Sequence, residues 1–354
     1  MGTQVDTAPQ HGPRPLPLFL AMLRSETATD AEQRRRALAG LRAYQVAHRS
    51  PRPAPRPAIA QAGRVTLRDY GRAGDGSGPA VVVIPSLINP PFVLDLSPDN
   101  SLLDWLAAQG MRVLLIDWGT PGVADRAMDL GDHARVAAEL LAKLDTPPLV
   151  VGYCLGGTIA VAAAAFVTVA GIALVATPWH FAGFGDATRT AIADLWTAAE
   201  PTADRLGVVP IEVLQAAFWQ IDPARTVEKF ARFGDLAPDS AAARAFVALE
   251  DWANGGAPLP YAAGREMFDD LFDADLPGTG RWRVDGRTIA LPADIPMVEF
   301  VAADDRIVPA ESAAGLPDRR IVPAGHVGMV VGSRARSLLW EPLGRWITAT
   351  AAPK

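Results

Sequence analysis

The sequence predicts an α/β protein: a mostly parallel sheet with helices on both faces and a helical cap inserted before the late strands. Three observations predict it. From Gly63 onward short β-branched runs alternate with helical stretches, the order that produces a parallel sheet flanked on both sides. Between Thr177 and Pro292 the strand rhythm stops, and it resumes afterwards. A cysteine framed by glycines, Gly152-Tyr-Cys-Leu-Gly, stands between a strand-like and a helix-like run.

Taken in order, residues 1–60 form an N-terminal segment distinct from the rest. A helical run from Pro15 to His48 is followed by Ser50-Pro-Arg-Pro-Ala-Pro-Arg-Pro, an extended linker. Within the run Leu38, Leu41 and Tyr44 share a helical face while Arg34, Arg35 and Arg36 point largely away, which suits a docking helix better than a membrane anchor. Residues 61–178 are the first part of the core. Its strands are expected at Val65–Asp69, Ala80–Pro85, Arg112–Asp117, Leu149–Tyr153 and Gly171–Ala176, with helices at Ser101–Gln109 and Asp132–Leu144. Residues 179–292 read as a cap of several helices carrying Trp179, Trp196, Trp219 and Trp252. Residues 293–354 complete the core, with strands at Pro296–Ala303 and Arg320–Val322.

Composition narrows the function classes. The 354 residues are 49% hydrophobic and 20% charged, enough to bury a large core. A net charge of -6 argues against a general nucleic-acid binder. No run reaches the roughly 20 apolar residues of a transmembrane helix, and no secretory leader is recognised, so a cytoplasmic location is expected. One cysteine cannot form an internal disulfide, so that thiol is either a small core residue or a reagent.

Its surroundings favour the reagent. In Leu149-Val-Val-Gly-Tyr-Cys-Leu-Gly-Gly-Thr the chain turns sharply from strand to helix, and a side chain two residues before or after Cys154 would strike neighbouring backbone, so glycine is needed at 152 and 156. This is a nucleophile elbow with sulfur replacing oxygen. The helix that follows aims its N-terminal N–H groups at the thiolate. The oxyanion hole should use the backbone N–H of Leu155 and a second from Ser86 or Leu87, with Leu87 preferred.

The elbow calls for an acid and then a histidine later in the chain, the order of the α/β-hydrolase fold. The strand Met297-Val-Glu-Phe-Val-Ala-Ala runs into Asp304-Asp-Arg-Ile-Val-Pro, and a later strand leads to Ala324-Gly-His-Val-Gly. His326 is the expected base, and Asp305, four residues before Pro309, is preferred over Asp304 as the carboxylate that orients it. Of the other histidines, His11 and His48 lie in the N-terminal segment, His133 is expected on a surface helix, and His180 begins the cap.

These segments resemble the catalytic domain of poly(3-hydroxyalkanoate) synthases, and the length resembles the short synthases that work with a second subunit. Four blocks carry the resemblance: Pro85-Ser-Leu-Ile-Asn-Pro-Pro-Phe; Gly152-Tyr-Cys-Leu-Gly-Gly-Thr; Asp251-Trp-Ala-Asn-Gly-Gly-Ala-Pro; and Asp305-Arg-Ile-Val-Pro with Gly325-His-Val-Gly-Met. Such a resemblance implies that Cys154 accepts the acyl group of an (R)-3-hydroxyacyl-CoA as a thioester. Coenzyme A leaves, and the hydroxyl of another acyl unit attacks to lengthen a polyester. His326 is then the base, and Asp305 supports it or helps activate the hydroxyl. The family usually has histidine where this chain has Arg306, here equally a candidate contact for the phosphates of coenzyme A or a member of a surface salt bridge.

The partners implied are the acyl-CoA and its polyester product, a non-catalytic synthase subunit or the surface of a polyhydroxyalkanoate granule, and a second copy in a homodimer. No metal and no bound redox cofactor is expected, because no cysteine or histidine cluster has ligand spacing and no phosphate-cradling loop is present. A hydrolase with the same triad, a thioesterase or polyester depolymerase, is the alternative, and a silent granule-binding protein is a third reading. The nine tryptophans suit a dimer face, a polymer exit or a core equally.

Overall fold

A computed structural model describes residues 12–49, 52, 54–71, 78–238 and 240–352. His11 and, in the proline-rich run, Ser50, Pro51 and Pro53 lie outside the described residues. The chain divides into two compact units: residues 1–53 with 214–255, and residues 54–213 with 256–354.

The larger unit is built on an eight-stranded sheet. Its strands are β1 (Ala58–Ala62), β2 (Val65–Asp69), β3 (Ala80–Ile84), β4 (Arg112–Asp117), β5 (Leu149–Tyr153), β6 (Gly171–Val175), β7 (Met297–Ala302) and β8 (Arg319–Val322). They lie in the order β1-β2-β4-β3-β5-β6-β7-β8. β2 runs antiparallel to β1 and β4, and every other pairing is parallel. Parallel central strands are covered on both faces, and β3 and β5 show it: Val81, Val82, Val83 and Ile84 are fully buried, as is all of β5.

Edge strand β1 was not expected from the sequence. Its Ala-Ile-Ala-Gln-Ala run is largely exposed and follows the prolines, so neither burial nor alternation marks it; the turn at Gly63, with φ of 57°, folds it back onto β2. Helices α3 (Leu102–Ala108), α4 (Leu130–Leu141) and α5 (Leu155–Ala164) belong to the same unit. Helix α4 begins two residues before the expected Asp132, because the Asp129 side chain accepts from the Asp132 N–H while the Asp132 side chain returns to the Asp129 N–H. His133, expected at the surface, is fully buried. Its Nδ1 faces the Asp129 carbonyl at 2.6 Å and its Nε2 the Arg64 guanidinium at 2.8 Å, so both ring nitrogens are satisfied inside.

The smaller unit joins α1 (Leu16–Glu26) and α2 (Ala31–Val46) to α7 (Pro223–Gly234) and α8 (Ala241–Asn254), with the end of α6 (Ile211–Ile221). Phe19, Tyr44, Trp219 and Phe230 form its core, with edge-on ring pairs at 5.1–5.8 Å. A Cβ on Gly40 would lie 1.7 Å from the Phe230 carbonyl oxygen, so glycine permits the close approach of α2 and α7. That seam is centred on Ala37, Gly40, Leu41 and Tyr44, whereas Leu38, expected on the same face, is 41% exposed. At about 100° per residue Leu38 sits roughly 60° beyond Leu41. Asp251 accepts from the Tyr44 hydroxyl at 2.6 Å and from Arg49 Nε at 2.8 Å.

The helical stretch 179–292 is therefore shared between the units: 214–255 belongs to the smaller, the remainder to the larger. Its five tryptophans are all buried, Trp179, Trp196, Trp219 and Trp252 at 4–7% exposure and Trp282 at 1%, which puts them in the cores.

Candidate active site

Cys154 is the residue between β5 and α5, with φ of 54° and ψ of -134°. A left-handed backbone is costly for a residue with a Cβ, on the order of 1–2 kcal/mol, and persists only where its surroundings impose it. Here three glycines impose it. A Cβ on Gly152 would lie 2.3 Å from the Gly157 Cα; on Gly156, 2.2 Å from the Ile84 carbonyl oxygen at the end of β3; on Gly157, 1.9 Å from Thr177 Oγ1 beyond β6. Gly157 was not singled out from the sequence, although the Gly-Gly pair carried the signal. The Cys154 N–H donates to the Val175 carbonyl at 2.9 Å, and Thr158 Oγ1 donates to the Pro178 carbonyl at 2.6 Å, so the turn is also tied to β6 and the segment after it.

The ends of β7 and β8 supply the partners. Asp305 Oδ1 accepts from the N–H groups of Ile307 and Val308, both at 2.8 Å, and its Oδ2 lies 2.7 Å from His326 Nδ1. With its side chain fully buried, this carboxylate is held at both oxygens. Asp304 is exposed, and its N–H donates to the Ala324 carbonyl at 3.1 Å, extending the β7–β8 pairing. Asp304 lies in the turn that follows β7 and Asp305 directly after it, and of the two only Asp305 turns its side chain inward. Arg306 is exposed.

His326 is 7% and Cys154 9% exposed. Burial by itself disfavours the imidazolium, but Cys154 and Asp305 beside it outweigh burial and raise His326 from its ordinary value near 6.5 to about 10. Because Nδ1 engages Asp305, Nε2 is the ring atom left to exchange a proton with the sulfur. Sequence reading also passed over Tyr153, whose ring stacks on that of His326 with centroids 5.3 Å apart and 30° between planes.

Leu155 is the first residue of α5, so its N–H is among the first-turn groups that have no acceptor within the helix. Leu87 and Ser86 follow β3, whose end abuts Gly156; the Ser86 hydroxyl accepts from the Ile88 N–H at 3.2 Å. His180 precedes a short helical turn and its N–H donates to the Ser312 carbonyl at 3.0 Å. Among the described residues, no group of three or more His, Cys, Asp or Glu side chains is placed to hold a metal ion, and no helix is long and apolar enough to cross a membrane.

With Cys154 strained between a central parallel strand and a helix, and Asp305 and His326 after the last two strands, β7 and β8, the chain matches a family model described as the alpha/beta hydrolase fold over residues 79–332. The chain belongs to the alpha/beta hydrolase fold family. Within the curated proteins this hydrolase-fold chain is similar to enzymes called poly(3-hydroxyalkanoate) polymerase subunit PhaC. The Haloferax mediterranei protein is 27% identical over 75% of this chain. The Allochromatium vinosum protein is 25% identical over 83% of this chain and 88% of its own length. The chain spans 58% of the length of the Haloferax relative. Among solved structures, the N-acyl homoserine lactonase AidH complexed with N-butanoyl homoserine aligns with a TM-score of 0.47 at 17% identity, covering 82% of this chain and 94% of that one.

Proposed function

We propose that this alpha/beta hydrolase-fold protein is an acyltransferase that polymerises (R)-3-hydroxyacyl-CoA. The observation that carries the reading is the buried Cys154–His326–Asp305 arrangement at an elbow that holds cysteine, in a chain similar to poly(3-hydroxyalkanoate) polymerases along most of its length.

The Cys154 sulfur attacks the thioester carbonyl while His326 takes the thiol proton, and the negative oxygen that forms is received by the N–H of Leu155 and of Leu87. The bond to the coenzyme A sulfur breaks, and His326 returns the proton to that leaving thiolate. The hydroxyl of another acyl unit then gives its proton to His326 and attacks the Cys154 thioester, so a carbon–oxygen bond forms as the carbon–sulfur bond breaks and the thiol is restored. Asp305 keeps the Nδ1 proton in place and supports the imidazolium throughout. A thiol suits this cycle because it is both a good nucleophile and a good leaving group.

Incubation with (R)-3-hydroxybutyryl-CoA is expected to release free coenzyme A and deposit an insoluble polyester, with both lost in Cys154→Ala. Release of coenzyme A together with monomeric acid alone would overturn the polymerase reading in favour of a hydrolase.

A further inference from the structure

The face of His326 is not left to loop packing. Tyr153 is the last residue of β5 and the immediate neighbour of Cys154, and it is 3% exposed. Its ring lies against the imidazole at 5.3 Å between centroids and 30° between planes, inside the roughly 6 Å over which a cation is attracted to an aromatic face. The Tyr153 hydroxyl reaches the His326 carbonyl at 3.5 Å, at the outer limit of a hydrogen bond, so the ring rather than the hydroxyl makes the contact.

His326 stands on a segment after β8 and is fixed in its own plane by one bond, Nδ1 to Asp305. A single bond in the ring plane leaves rotation about that bond open, and that rotation would swing Nε2 away from the sulfur. A ring stacked on the imidazole face removes it. Because the stacking residue directly adjoins the nucleophile, the strand that sets the elbow also sets the base.

Resting on the acyl-transfer reading, we infer that Tyr153 is a positioning residue: its stacked ring holds His326 in line with Cys154 and Asp305 and favours the protonated imidazole while the thiolate exists. The charged groups acting on His326 are Cys154 and Asp305, and the phenol facing it is Tyr153, whose burial keeps it un-ionised well above its ordinary range. The stack therefore acts through a neutral ring.

Cys154 is the only cysteine, so its alkylation by iodoacetamide reads the thiolate–imidazolium pair without background and without an acyl-CoA. In the full chain, wild type is expected to alkylate with a pH plateau whose alkaline end follows the deprotonation of His326. Tyr153→Leu should narrow that plateau by about half a pH unit at its alkaline end and lower the kcat for coenzyme A release roughly three- to tenfold at unchanged KM. Tyr153→Phe should stay within about twofold of wild type on both readouts. Should Tyr153→Leu not fold, phenylalanines carrying one to five fluorines at position 153 keep the shape while draining the ring face, and the alkaline end should fall stepwise with fluorine count.

An unchanged plateau and kcat in folded Tyr153→Leu, a flat fluorine series, or a loss in Tyr153→Phe equal to that in Tyr153→Leu overturns the inference while leaving the acyl-transfer reading intact. A wild-type profile with no such plateau would show that His326 does not act on the Cys154 sulfur, and that outcome removes both readings.

Discussion

Replacing Asp305 with asparagine separates the two adjacent aspartates chemically. The His326 Nδ1–Asp305 Oδ2 contact is 2.7 Å and the Asp305 side chain is fully buried, so screening by solvent is weak. At that separation, with an effective dielectric constant near 20, the attraction between carboxylate and imidazolium is about 4–6 kcal/mol. Asparagine keeps the shape but removes the charge, and its amide can present a donor where Nδ1–H needs an acceptor, forcing the wrong tautomer. At 1.36 kcal/mol per tenfold, turnover should fall by about 10³–10⁴. The bonds from the Ile307 and Val308 N–H groups need only one oxygen, Oδ1, which asparagine can still supply, so the melting temperature should drop by no more than a few degrees. The assay is stopped-flow release of coenzyme A from an acyl-CoA, alongside thermal unfolding of the same sample. Asp304→Asn is the control and should stay within about threefold of wild type. Equal losses in the two variants, or an Asp305→Asn enzyme within tenfold of wild type, would refute the assignment of the acid.

Three other outcomes follow from the packing. Gly156→Ala places a Cβ 2.2 Å from the Ile84 carbonyl oxygen and 2.5 Å from that of Pro85, fixed backbone on a central strand, and should cost several kcal/mol, seen as insolubility or a large fall in melting temperature; Gly122→Ala, with nothing within 4 Å, should behave as wild type. Burial foremost lowers His133 to about 4 from 6.5, so the unfolded chain binds a proton the folded one refuses between those values: stability is present above pH 6.5 and drains as pH falls toward 4. Glu266, raised by burial to about 7, slopes the other way, its contribution full below pH 4.5 and lost as pH rises through 7. Melting temperatures across pH 4–7 should therefore lose their acid-side fall in His133→Gln; an unchanged fall would show that other groups cause it. Asp251→Ala leaves Arg49 and the Tyr44 hydroxyl without their shared acceptor in a half-buried position, and should cost about 3–5 kcal/mol by denaturant titration, with Asp251→Asn losing less.

The parts of the fold written in local pattern could be read directly. β3, β4 and β5 are buried on both faces and so appear as continuous β-branched runs, and their observed bounds agree with the expected ones to within a residue. What the sequence did not mark depends on contacts between distant segments. Tyr153 touches His326 across 173 positions, and its neighbours in sequence say nothing of that ring. Nor does any local signal separate residues 214–255 from the helices on either side; their assignment to the unit of the N-terminal helices depends on Gly40 meeting Phe230 and on Tyr44 and Arg49 meeting Asp251. His133 was misplaced because a polar side chain near a helix start is usually wet, and only the joint presence of Arg64 and the Asp129 carbonyl makes its burial tolerable.

The candidate site was more legible than its distance in sequence suggests, and the sheet order explains why. Gly156 abuts the end of β3, Gly152 closes the turn out of β5, and Gly157 meets Thr177 beyond β6, so Cys154 is clamped by three adjacent strands of one sheet. The next two strands in that order, β7 and β8, run parallel to β6 and therefore end on the same side, where Asp305 and His326 follow them. A nucleophile between β5 and α5, with an acid and a histidine after later parallel strands, needs no further information to converge: the shared direction of the strands brings the three residues to one edge. Which of two neighbouring aspartates turns inward, and which ring backs the histidine, are decided one residue at a time by side-chain direction. Spacing to Pro309 could address the first of these; nothing in the linear pattern addressed the second.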